Sequence, residues 1–341
     1  MTDTPHTPAG LLVLPRLRVQ NANAISSPLT WGFPAPTAFL GFAHALERRL
    51  RADYDRAVTG IGIVCHDFQA LTAQPNRRAH VVFSQSRNPV YLKKDAAKFI
   101  ADGTPAAIIE EGRIHLTLTL VLAIDRGFLD EQDGEDFAKA AGDIVQTMRL
   151  AGGSLLPPAT DRAGPPWHQP HWLTWPDILT EQARLFRRLR RQWLPGFVLV
   201  HRPDRLAEGW AALKAREPTA TLLDALLDLT GLNHVPPTES GGDWSIERRS
   251  GWRVPVPIGY AGISELHPPG AVAAARDATV PFRFVESLYS LGEWVSPLRL
   301  PGLDALLWQA ETDAEAGLYR CNNRYSRYLN DLSLPKETDH G

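Results

Sequence analysis

The sequence predicts an α+β protein built on an RRM-like (ferredoxin-like) unit. Three observations carry that expectation. Ile114, Leu116, Leu118, Leu120 and Leu122 alternate with His115, Thr117, Thr119 and Val121, the period of a strand. Phe39, Phe42, Ala43, Leu46 and Leu50 fall on one helical face, with Glu47, Arg48, Arg49 and Arg51 off it. Between residues 11 and 149 the elements run strand, helix, strand, strand, helix, most of a split βαβ unit with one sheet face on helices and one open.

The first strand lies in Leu11–Gln20, where Leu17 and Val19 alternate with Arg16, Arg18 and Gln20. A polar and aromatic loop follows, carrying Asn21, Asn23, Ser26, Ser27, Trp31 and Phe33 among Pro28, Pro34 and Pro36. Pro36 and Thr37 are start signals for the first helix. Val58–Phe68 reads as a second, mostly apolar strand. Its Gly60 and Gly62 lack the third glycine and helix of a dinucleotide site. Cys65, His66 and Asp67 are neighbours whose side chains alternate faces on a regular strand, so they form no catalytic trio. His80–Ser84 reads as a short strand. Arg87–Gly112 has little regular pattern, holds three of the chain's six lysines, and separates two strands as a projecting hairpin or loop.

Glu131–Arg149 reads as a helix ending near Gly152 and Gly153, which serve either as a C-cap or as a close approach to phosphate. Residues 157–176 are rich in Pro and Trp. His168 and His171 there have metal-like spacing, but a proline lies between them and no third ligand is near, so no metal site is expected. Pro176–Trp193 reads as a helix presenting Arg184, Arg187, Arg188 and Arg191 opposite Leu185 and Leu189. Like charges at that spacing repel, and a polyanion would relieve them; a merely solvated face is the other reading. Gly196–His201 is a strand, and Asp204–Glu217 and Thr219–Leu232 are helices. Trp252–Tyr260 contains Pro255 and Pro257 and is an edge strand at best. Phe282–Val295 returns to core-like sequence around Arg283. Leu303–Trp308 reads as a short helix and the chain past Arg327 as a polar tail.

Composition is ordinary for a globular protein, with 44% hydrophobic and 22% charged residues and a net charge of −2. The whole-chain balance therefore carries no nucleic-acid signal, and such a surface must be local. Only six of the 36 basic residues are lysine. Arginine suits phosphate forks and base stacking. Cys65 and Cys321 make neither a disulfide framework nor a zinc site, which fits a reducing cytoplasm. There is no signal peptide and no apolar run of membrane-spanning length, so a soluble cytoplasmic protein without cofactors is expected.

NANAISSPLTWGFP (21–34) followed by TAFLGFAHAL (37–46) closely resembles the opening of the Csy-type RAMP subunit of type I-F CRISPR surveillance complexes, the RRM-like subunit that binds the 5′ handle of the guide RNA. GIGIVCHDF (60–68), IIEEGRIHLTLTL (108–120), MRLAGGSLLP (148–157), LPGFVLV (194–200), PFRFVESLYSLGEWVSP (281–297) and GLYR (317–320) resemble that family's blocks in its order. The resemblance implies a RAMP core in residues 1–157 with a thumb at about 85–112. A helical, arginine-rich insertion at 158–250, a C-terminal part at 251–330 completing the core, and a loose tail at 331–341 follow.

It implies a non-catalytic guide-RNA-binding subunit. Its partners would be the 5′ handle of the CRISPR RNA, the large subunit in a heterodimer, the backbone RAMP subunits, and target DNA near the PAM. The residue chemistry suggests RNA contacts at Arg16, Arg18, Gln20, Asn21, Asn23, Ser26, Ser27, Trp31, Phe33, Arg87, Gly152, Gly153, Ser154 and Arg283. Arg184, Arg187, Arg188 and Arg191 are the candidates for guide or target phosphates. Core packing is the competing reading for Trp31 and Phe33. A second class of function is a RAMP-type metal-independent endoribonuclease using His44, set against a packing role for that histidine; a third is a purely structural partner.

Overall fold

The computed structural model describes residues 7–74, 81–88, 93–103, 107–128, 130–157, 168–237, 242–247 and 249–333. Strand β1 is Gly10–Asn23. A small hairpin, β2 (Ile25–Ser27) and β3 (Thr30–Trp31), leads into helix α1 (Pro36–Leu50). Next come β4 (Val58–Ala70), β5 (Thr72–Ala73), β6 (Val82–Asn88), helix α2 (Lys93–Ala101), β7 (Ala107–Glu111) and β8 (Arg113–Ile124). Helix α3 (Glu131–Val145) precedes the short strands β9 (Arg149–Leu150), β10 (Gly153–Leu156) and β11 (His171–Thr174). Then follow α4 (Leu179–Gln192), β12 (Phe197–His201), α5 (Pro203–Arg216) and α6 (Leu222–Thr230). The chain ends with β13 (His234–Val235), β14 (Ser245–Ile246), β15 (Trp252–Gly262), β16 (Val285–Val295), β17 (Leu307–Asp313), β18 (Leu318–Asn323) and α7 (Tyr325–Ser333).

One antiparallel sheet dominates, in the order β12-β16-β15-β18-β17-β4-β8-β1-β10-β9, with β11 added beside β1. Its central run β4-β8-β1-β10 holds the second, third, first and fourth core strands in chain order. α1 follows the first and α3 the third. The outer edge of β4 is shared end to end: β17 pairs at Ile61–Gly62 and β12 at Val64–Cys65. The C-terminal strands thus return to β4 and close on it, and the buried Trp308 donates its indole N–H to the Leu199 carbonyl there (2.9 Å).

The apolar run that opens β1 is explained by burial on both faces. Leu12, Leu14, Leu17 and Val19 join the core under α1 and α3 with Phe39, Leu46, Leu118, Leu120 and Phe137. Leu11 and Val13 face a second core with Phe186, Leu189, Trp193, Val198 and Leu306. Each such side chain contributes about 1.5–3 kcal/mol of burial.

Several sequence expectations are corrected. Helix α3 stops at Val145, not Arg149, because Arg149–Leu150 turns into β9. The patternless stretch 87–112 contains the end of β6, helix α2 and strand β7, with β6 and β7 paired from Ser84 to Asn88 against Glu111 to Ala107. Leu303–Trp308 is helical only over Leu303–Ala305, since burial of Leu307 and Trp308 draws them into β17. Residues 331–333 of the expected tail belong to α7, an amphipathic helix anchored by buried Tyr325; the rest of that tail lies outside the described residues. Strand β15 is an edge on one side only while it contains prolines. Past them, Gly259–Ala261 gains β18 as a second neighbour. The strand expected at Gly196–His201, by contrast, is present as β12, a strand of the main sheet.

Candidate nucleic-acid interface

The face of β1, β8 and β4 turned away from α1 and α3 changes character halfway along. At the chain's N-terminal end it is covered by the second core. Beyond Pro15 it becomes polar and open. The change coincides with bulges: two residues of β1 (Pro15, Arg16) oppose one of β8, and His66 is an extra residue on β4 between Cys65 and Asp67.

Arg16, at φ 50°, turns its backbone N–H to the Thr119 hydroxyl (3.2 Å) and its guanidinium to the Leu194 carbonyl (3.2 Å). His66 sits between the Pro195 carbonyl (Nδ1, 2.7 Å) and the same hydroxyl (Nε2, 2.7 Å). With Nδ1–H donating to the carbonyl, Nε2 accepts the Thr119 proton and all three groups are satisfied. Burial pushes the His66 pKa down to about 4; the Pro195 bond works against this, and the Arg16 charge with it. Burial also lowers Arg16. This triad ties the turn after α4 to the sheet.

Next along the face, the register places Asp67, Thr117, Arg18 and Leu156 in one row. Gln69, His115, the Gln20–Asn21 bulge and Ser154 form the next. Arg18, Gln20, Asp67, Gln69, His115 and Thr117 of these rows line an open cavity of about 210 Å³. Asn21, at φ 57°, donates its backbone N–H to His115 Nδ1 (3.1 Å), so a neutral His115 carries its hydrogen on Nε2. Arg18, Gln20, Gln69 and Thr117 make no side-chain hydrogen bond or ion pair among the described residues.

The opening loop is used differently from the sequence expectation. The Asn23 amide closes on Ile25, donating to its carbonyl (2.7 Å) and accepting its N–H (3.1 Å). Ser26 and Ser27 both bond the buried Thr30 hydroxyl (2.7 and 2.6 Å) and close the β2–β3 hairpin. Phe33 stacks on Phe39 (5.4 Å, 11°) and meets Trp294 edge-on, so it packs against the core. Trp31 is 66% exposed, its ring touching Phe83 of the helix-side core (5.6 Å). These aromatics therefore lie on the side of the sheet opposite Arg18.

Ala151 (φ 49°) and Gly152 (φ 77°) form the two-residue turn of the β9–β10 hairpin, not a helix cap. Gly153 lies against β1 so closely that an added Cβ would stand 2.7 Å from the Ala22 nitrogen and 2.8 Å from the Gln20 carbonyl oxygen. Ser154 is exposed beside Gln20. Arg87 lies in β6, and its side chain falls outside the described residues. Arg283 is far from the cavity in sequence and strand order; it donates to the Ala314 carbonyl (3.3 Å) and packs on Gly262 and Gly317.

On α4, Phe186 and Leu189 face the second core, and Arg184, Arg187, Arg188 and Arg191 are exposed with no ion pair among the described residues. Among the described residues Arg187 bonds only the Ala183 carbonyl of its own helix. Arg190 instead binds the Leu298 and Leu300 carbonyls. His44 is exposed on α1, on the far side of the sheet from the cavity, and is not the packing histidine the sequence suggested.

Structure thus brings together Arg16, Arg18, Gln20, Asn21 and Ser154, with α4 tied to their rim through Leu194. Asp67, Gln69, His115 and Thr117 complete the face and were missed. The alternation of residues 114–122 does put His115 and Thr117 on the polar side, a usable signal; the His66 bulge that turns Asp67 to the same face has none. A second missed feature is the cluster of exposed rings Phe68, Phe197 and Trp252, with centroids 5.8–6.3 Å apart around Trp252.

The family model described as CRISPR-associated protein (Cas_Csy2) matches residues 12–321. The chain is also 44% identical over 321 residues to the CRISPR-associated protein Csy2 of Pseudomonas aeruginosa (strain UCBPP-PA14), an alignment covering 92% of this chain and 95% of that protein.

Proposed function

The chain belongs to the Csy2 family of CRISPR-associated proteins, and on that premise we propose that it is a non-catalytic RNA-binding subunit of a type I-F surveillance complex, gripping the 5′ handle of the guide. The observation that carries this reading is the open polar face, where unpaired Arg18 and Gln20 lie beside a turn tied to the arginine face of α4. In such systems base pairing reads the target while protein holds guide backbone and unpaired bases. The strand order β4-β8-β1-β10, with α1 and α3 on one face, supports an RRM-like RAMP core whose free face meets RNA. The β6–α2–β7 projection, with Lys93, Lys94 and Lys98 on or near α2, corresponds to the thumb.

The large subunit and the backbone subunits are the proposed protein partners. Leu222, Leu223 and Leu227 on the outer face of α6, each 45–52% exposed, offer apolar surface for one of them. No helix among the described residues is long and apolar enough to cross a membrane; a cytoplasmic location is part of the proposal. The test is co-expression with the large subunit, then filter binding of handle RNA. A stable pair should bind, and Arg18→Ala should weaken binding by about tenfold, the loss of one charge-assisted contact. Cleavage of the RNA that vanishes in His44→Ala, or absence of any binding, would overturn the reading.

A further inference from the structure

Asp67 is out of place on a surface that meets phosphate. A carboxylate among arginines repels the RNA backbone, so its presence in the cavity calls for a ligand group that donates hydrogen bonds. Its Oδ1 accepts the Phe68 N–H (2.9 Å), which fixes the carboxylate and leaves Oδ2. Arg18 lies in the same row, two strands away. That spacing is roughly 9–10 Å between backbones, and the two side chains form no ion pair with each other. A donor-only group and an acceptor-only group therefore face each other across Thr117, over a cavity of about 210 Å³. That volume is on the scale of one nucleobase, below the roughly 300–1,000 Å³ of drug-sized sites.

We propose that this cavity takes one unpaired guanine of the bound RNA, with Arg18 on O6 and N7 and Asp67 accepting from N1–H and the N2 amine. Guanine alone among the four bases has an acceptor pair that matches arginine and, on its pairing edge, adjacent donors that match a carboxylate. Uracil has no amine. Adenine has no carbonyl for Arg18. Cytosine offers a single amine. The His115 Nε2–H and the Gln69 amide line the same cavity and supply further polar contacts. The inference rests on the reading of this face as an RNA grip, and it adds a specificity-determining residue, Asp67, to it.

The experiment uses the full chain, paired with the large subunit if needed, and fluorescent eight-residue oligouridine carrying a single central guanosine, inosine, adenosine or uridine. Inosine keeps O6, N7 and N1–H but lacks the N2 amine. Wild type should bind the guanosine probe about 5- to 100-fold tighter than the uridine probe, with inosine between. In Asp67→Asn, which keeps an oxygen for the Phe68 N–H, the guanosine–inosine difference should fall to within about twofold while uridine binding holds or tightens. Thermal unfolding checks that the variant is folded. RNA binding without base preference in wild type, or an unchanged guanosine–inosine ratio in Asp67→Asn, overturns this inference and leaves the RNA grip standing. No binding of any probe overturns both.

Discussion

A buried histidine, His201, and a half-buried one, His66, set a measurable acid sensitivity. His201 is 5% exposed, with its Nε2 at 2.7 Å from the Ser290 hydroxyl and its ring beside Trp308. Burial pushes its pKa down to about 4, although the nearby Asp204 charge pulls the other way. His66 is held at about 4 by burial as well. At pH 7.5 both rings are neutral in the folded and unfolded chain. Below about pH 6.5 the unfolded chain takes up protons that the folded chain refuses until about pH 4, so stability is full at neutral pH and falls across that window. Between pH 7.5 and 5.0 the loss is about 2 kcal/mol for His201. For the partly solvated His66 we discount it to about 1 kcal/mol. Asp304, raised by burial, acts in the opposite sense and gains stability as pH falls. Urea unfolding at the two pH values reads the difference, and the variant His66→Asn/His201→Asn isolates the histidines. Its stability should lose about 3 kcal/mol less than wild type on acidification. An equal loss in both proteins would refute the assignment of the two rings as neutral in the folded chain.

Phe33→Ala should cost about 2–3 kcal/mol by thermal or urea unfolding, because it removes a ring stacked on Phe39 and edge-on to Trp294, whereas the exposed Trp31→Ala should cost less than about 1 kcal/mol. Gly153→Ala should cost more than about 2 kcal/mol, since the clash is with β1 backbone that cannot move without breaking the ladder. Gly152→Ala, with open space around it, should cost only the roughly 1–2 kcal/mol of a left-handed φ. Replacing Arg184, Arg187, Arg188 and Arg191 with Gln should flatten the slope of log K against log salt for RNA by up to about 3 if all four meet phosphates, with circular dichroism unchanged.

One-sided burial writes itself into local periodicity, and that part of the fold was legible in the sequence. Strand β8 and helix α1 each bury one stripe, and their alternation is plain in residues 114–122 and 39–50. Helix α4 was legible for the same reason, with Phe186 and Leu189 inward and arginines outward. Elements that answer to distant partners were not. Leu307 and Trp308 look like the end of a helix until β4 and Leu199 are beside them. Ser26 and Ser27 look like phosphate donors until Thr30 folds back four and three residues on. The Asp67 side chain reaches the open face only because His66 is an extra residue, and that bulge depends on bonds to Thr119 and Pro195, 53 and 129 residues away. No window of neighbours contains that information.

The same bulges account for why an open polar face exists on this sheet at all. Upstream of Pro15 the sheet has two apolar faces, both covered; downstream it has one. A regular strand would have to make that change through composition alone. Here Pro15 and Arg16 on β1 and His66 on β4 make it through backbone geometry, at the same level of the sheet, and the Arg16–Thr119–His66 triad bonds the two bulges to each other and to the turn after α4. A bulge shifts the downstream part of its strand by one residue, and one residue exchanges the faces of a strand. Without the β1 bulge, Leu17 and Val19 would turn toward solvent and Arg18 and Gln20 into the core under α1. Without the β4 bulge, Asp67 would leave the cavity. The position of the polar face is therefore set less by the polar residues themselves than by the two insertions that aim them, and the buried Thr119 hydroxyl, bonded to Arg16 and His66, is the group that holds those insertions together.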